Sequence, residues 1–159
     1  MRRMVLALAL LLTVVPLAGA QGLLIKFEGG IGVNPVSRVD PATGLGVRNV
    51  VRDVPPAGQP WVIDRLQASI HVDGRIALDG RGLLLAGGNG IGTSAGASVR
   101  AVLFCESASF SSELVTLDEA GDFRIEGFLS DVPPNTCASP VLLIVSSGGS
   151  WFAAGIPKQ

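Results

Sequence analysis

Few side chains in this sequence carry chemistry, and they are scattered. Gly92-Thr93-Ser94-Ala95-Gly96 has the Gly-x-Ser-x-Gly form of serine hydrolases. In those enzymes a sharp strand-to-helix turn presents the serine, and Asp and His follow later in the chain. Here no helical pattern follows Ser94, and the sole histidine, His71, precedes it. Triads do vary in chain order, so a serine hydrolase using Ser94 stands as the least favoured of three functions. Gly87 to Gly92 followed by Thr93 copies the glycine spacing of a phosphate-binding loop but lacks its lysine and its helix. The residues fit a flexible connection between strands. Gly87, Gly88, Asn89, Gly90, Thr93 and Ser94 are the ones expected to touch a ligand or partner.

One histidine cannot build the usual zinc or copper site. Asp118, Glu119 and Asp122 surround Gly121 and offer oxygens to a hard cation, but they fall short of the six or more ligands that calcium takes. Hairpin-turn chemistry explains the same residues. No metal and no cofactor is therefore expected. Trp61 and Trp151 are the aromatics able to form a sugar platform, although aromatics at strand starts more often pack inward. Cys105 and Cys137 are the two cysteines. In an oxidising compartment they are expected to pair.

These groups must be held by strands. From Val62 to Val72 the even positions from Leu66 are apolar and the odd positions from Arg65 are polar, the period of a half-buried strand. Asp73-Gly74 predicts a type I′ turn, and Arg75 to Ala86 returns, ending in the apolar Leu83-Leu84-Leu85. Gly80 and Gly82 predict a bulge or a close backbone approach. Asp64 falls at an inward position, which a strand starting at Arg65, a bulge, or a pair with Arg75 or Arg81 would resolve. Further strands are expected at Leu23–Glu28, Val47–Arg52, Ser98–Glu106, Leu114–Leu117, Asp122–Leu129, Val141–Val145 and Trp151–Ile156. The segments 29–46 and 53–60 read as bends and loops, rich in Gly and Pro. If successive strands from Val62 run antiparallel, the loop 87–97 and the turns near Gly121 and Gly148 share one end of the domain. Both cysteines then share the other, as a disulfide requires.

The first twenty residues are expected to be a signal peptide. Arg2 and Arg3 precede an apolar run from Val5 to Val15, and Ala18-Gly19-Ala20 offers a cleavage site before Gln21. That run is shorter than the roughly 20 residues of a membrane-spanning helix. Stable membrane insertion after cleavage is not expected, and the destination is the periplasm or the medium. Removing Arg2 and Arg3 from the 12 basic residues leaves 10 against 13 acidic ones, a net charge of −3. No basic run exists to hold nucleic acid.

The segments GRGLLLAGGNGIGT (Gly80 to Thr93), VPPNTCASPVLLI (Val132 to Ile144) and WFAAGIP (Trp151 to Pro157) resemble parts of small exported bacterial proteins known only as uncharacterised. The resemblance implies export and a single domain, and it brings no activity or site residues. Residues 21–159 are accordingly expected to form one antiparallel β-sandwich of about eight or nine strands, with a partly open barrel as the alternative. The function expected first is a non-enzymatic exported binding or structural domain, with a protein or carbohydrate partner. A subunit of an envelope assembly joined by strand addition is the second.

Overall fold

The computed structural model of the protein describes residues 22–158, so the expected signal peptide lies outside the described residues. In chain order the strands are β1 (Leu23–Gly32), β2 (Val36–Val39), β3 (Gly46–Arg48), β4 (Trp61–Val62), β5 (Arg65–His71), β6 (Arg75–Arg81), β7 (Leu84–Leu85), β8 (Ser98–Cys105), β9 (Ala108–Ser111), β10 (Val115–Thr116), β11 (Phe123–Phe128), β12 (Val141–Ser146) and β13 (Trp151–Lys158). The fold is all-β. Nine strands form one antiparallel sheet in the order β10-β8-β12-β13-β1-β5-β6-β11, with β9 also paired to β8. β2 pairs with β3, and β4 with β7, as separate two-stranded ribbons.

β9 and β10 lie on the same edge of β8, because β12 occupies the other. Ser112 joins them. Its N–H donates to the Ala101 carbonyl at 2.9 Å, and its Oγ accepts the Ala101 N–H at 3.0 Å. A side-chain oxygen thus replaces a backbone acceptor, and β9 and β10 act as one interrupted strand. The sheet curls until β11, at its far edge, meets this strand again. A turn stitches one end, where the Asp118 N–H donates to the Asp122 carbonyl. At the other end the Ser130 N–H donates to the Ser111 carbonyl. The hydrogen bonding is that of a partly open barrel, and the two halves of the sheet share one apolar core, as in a sandwich.

Alternation decides what enters that core. Leu66, Ala68 and Ile70 of β5, Ile76 and Leu78 of β6, and Phe123 and Ile125 of β11 are buried, while Gln67, Arg124 and Glu126 are exposed. Polar residues out and apolar residues in is the reverse of a lipid-spanning barrel. β12 lies between β8 and β13 and is buried on both faces from Leu142 to Val145. The segment 55–57 runs beside the start of β13: Trp151 donates its N–H to the Pro55 carbonyl, and the Ala57 N–H donates to the Trp151 carbonyl.

Several local expectations change. β1 does not stop at Glu28: Gly29, at φ +95°, absorbs a register shift and the strand runs on to Gly32. Val36–Val39 lies within a stretch read as loop, yet pairs with β3 around a turn in which Asp40 Oδ1 accepts the Ala42 N–H. The Asp73-Gly74 turn is not type I′. Only Gly74 of the pair has positive φ, so three residues link β5 to β6, and Asp73 accepts the N–H and Nε of Arg75. Asp64 precedes β5 and is exposed, as a strand beginning at Arg65 requires. It pairs with neither Arg75, which bonds Asp73, nor Arg81, which bonds Asp79 and Asp122.

The end-sharing expectation holds. Ser147 donates to Ser98, Leu117 to Ala97, and Leu83 to Gly121, which gathers the loop 87–97 and both turns. Cys105 and Cys137 meet at the opposite end as a disulfide with a Cα separation of 4.8 Å. Arg52 braces that end by donating to the carbonyls of Glu106 and Ser139 at 2.9 and 2.8 Å.

Candidate functional site

The loop singled out for ligand contact is tied rather than loose. Leu85 donates to the Thr93 carbonyl, Gly92 to Leu85, and Thr93 Oγ1 to Gly90. Gly88, Asn89 and Thr93 are exposed, Gly87 and Gly90 are half-buried, and Ser94 is buried at 6% exposure. Ser94 lies beside β7, near the start of β5, whereas His71 ends β5. Seven strand residues separate those ends by roughly 20 Å. The geometry does not bring Ser94 and His71 into one hydrogen-bonded group.

The acidic turn is occupied by its own chain. Asp118 Oδ1 accepts the Asp122 N–H at 2.8 Å. Asp122 accepts the Gly82 N–H at 3.0 Å and pairs with Arg81 at 2.9 Å. No group of three or more His, Cys, Asp or Glu side chains with metal-binding geometry occurs among the described residues. Both tryptophans point inward. Trp61 stacks on Phe152 with ring centroids 4.1 Å apart, and Trp151 Nε1 donates to the Asn49 carbonyl.

The outer face of β5, β6 and β11 carries charge that is mutually compensated. Arg81 lies between Asp79 and Asp122, and Arg124 reaches Asp79 at 3.4 Å. Arg81 holds the Asp79 carboxyl below the ordinary carboxylate range. The Gly82 N–H, and after it Arg81, does the same for Asp122. Both carboxylates in turn raise the already high pKa of Arg81. On β1, Lys26 and then Lys158 depress Glu28.

The seam between the interrupted strand and β11 differs. Between its two stitches it opens into a cleft of about 550 Å³ lined by Arg100, Ser111, Ser112, Glu113, Leu114, Phe128, Leu129 and Ser130. A volume of this size suits a small organic ligand. Phe128, which ends the edge strand, is 63% exposed, and Leu114 across the seam is 43% exposed. Arg100 comes from β8, on the face opposite Val99, Ala101 and Leu103. Its Nε is buried without a hydrogen-bond partner, and no ion pair reaches its guanidinium among the described residues. Buried donors nearly always have partners, so this atom marks the seam as unusual.

None of the residues expected from sequence to contact a ligand lines this cleft. One signal for it was present in the sequence. On β8, Arg100 shares its face with Ser98, Val102 and Phe104, so a cation stands beside two apolar residues. The chain matches no protein-family model, and no significant match exists among curated proteins or solved structures.

Proposed function

We propose that the protein is an exported, non-enzymatic binding domain whose ligand occupies the cleft at the barrel seam. The observation that carries this reading is the convergence there of exposed apolar side chains, Leu114 and Phe128, with an arginine that the fold leaves unpaired. The lining is more polar than apolar, with Leu114, Phe128 and Leu129 set among Arg100, Glu113 and three serines, so it offers both an apolar surface and the polar groups that orient a small molecule. The separation of Ser94 from His71 supports the non-enzymatic part. The Cys105–Cys137 disulfide fits an oxidising, extracytoplasmic environment, and the amino-terminal pattern supports export.

The test is a thermal-shift screen of small amphiphilic compounds against the exported protein and its Phe128→Ser variant. Stabilising compounds whose effect is lost in the variant support the seam. Compounds that stabilise both proteins equally place the site elsewhere.

The envelope-assembly reading keeps one supporting observation. β11 pairs with β6 along one edge only, and its other edge faces the seam. An extended segment from a partner could add there. Size-exclusion chromatography over a range of concentrations tests it, and a monomer throughout with no co-purifying chain would count against it.

A further inference from the structure

We infer that the seam cleft selects small monocarboxylates bearing an apolar tail. This deepens the binding reading above and rests on it. Arg100 lines the cleft with its Nε stripped of water and given no acceptor. A desolvated cationic N–H without an acceptor is unfavourable. No hydrogen bond occupies the terminal nitrogens of the same guanidinium among the described residues, and an anion held there offsets that cost through its charge. The guanidinium is a planar fork of donors that matches a carboxylate.

The rest of the lining fixes the ligand's charge and shape. Glu113 lines the same cleft and is exposed, without an ion pair among the described residues. Arg100 is the one cation of the lining and can pair a single negative charge, and any further charge meets repulsion from Glu113, so a monoanion fits better than a phosphate dianion. Ser130 Oγ accepts the Ser111 N–H at 3.1 Å and keeps its own proton for a second acceptor. Leu114 and Phe128 offer an apolar surface for the remainder of the molecule, and their exposure shows that the fold does not cover it.

Calorimetric titration of the exported protein with octanoate, octanamide and inorganic phosphate tests the inference. Octanoate should bind, with octanamide and phosphate at least tenfold weaker. Arg100→Gln should weaken octanoate about tenfold or more while leaving octanamide unchanged, and Arg100→Lys should recover part of the loss. Octanamide serves as the check that the variant still folds and keeps its cleft. Equal binding of octanoate and octanamide, both weakened by Phe128→Ser, would overturn the carboxylate preference and leave the seam as the site. Preference for phosphate would overturn it in the same way. If neither octanoate nor octanamide binds, the inference and the seam reading fall together.

Discussion

The Ser130 N–H donates to the Ser111 carbonyl at 2.7 Å, and the Ser111 N–H donates back to Ser130 Oγ at 3.1 Å. This reciprocal pair closes one end of the seam, where the chain leaving β11 meets the end of β9. Ser130→Ala removes one of the two bonds. The expected loss of stability is about 1 kcal/mol, the net value of a typical intramolecular hydrogen bond. Hydrogen exchange at the Ser111 amide should quicken more than at core amides of β12. Unchanged exchange at Ser111 would show that the stitch contributes little.

A second close approach fixes the β6–β11 pair. Phe123 faces Gly80 in register, and a Cβ at position 80 would overlap the Phe123 ring. Gly80 is therefore needed for space, since its φ is not in the left-handed region. Gly80→Ala should destabilise by about 1–3 kcal/mol through overpacking. Adding Phe123→Leu should recover part of that loss, because the smaller side chain vacates the contact. Urea unfolding of the single and double variants measures both, and additive losses would contradict the account.

Reduction of the disulfide should lower stability without abolishing the sheet. Cys105 and Cys137 are 32 residues apart. Closing a loop of that size contributes roughly 3–4 kcal/mol in the chain-entropy model. The urea midpoint should fall on reduction, and mass measurement should show the gain of two hydrogens. Free thiols in the exported protein would contradict the pairing.

Acid should release the charged network on the outer face. Arg81 lowers the Asp79 carboxyl, and the Gly82 N–H together with Arg81 lowers that of Asp122. A carboxyl depressed on folding adds stability above its unfolded value of about 4. That contribution fades as pH falls below this value toward the lower folded one. The melting temperature of the natural protein should thus drop below about pH 4 more steeply than that of an Asp79→Asn, Asp122→Asn double variant. Parallel pH profiles would show that these pairs are energetically silent, as many exposed ion pairs are.

Local patterning carries much of this fold. The alternation of Leu66, Ala68 and Ile70 with Arg65, Gln67 and Ser69 specifies β5, because the side-chain period of a strand leaves no other face for them. The apolar run from Val141 to Val145 marks a strand covered on both sides, and turn chemistry places the cysteines at one end. What the chain does not announce is long-range. Gly29 reads as a break, yet acts as a bulge because β13 and β5 pair on both sides of β1. Val36–Val39 is exposed throughout, so no burial pattern reveals it. The seam exists because the sheet curls until its two edges meet, and curl depends on summed twist and bulges rather than on any one segment. Arg100 therefore reads as an ordinary outward residue until β9, β10 and β11 are assembled around it.

The most direct measurement is an amide NMR titration of the exported protein with octanoate. The account predicts shifts concentrated at 111–114 and 128–130, with a change at the Arg100 Nε resonance. Shifts confined to the loop 87–97, or spread evenly over the barrel, would contradict it.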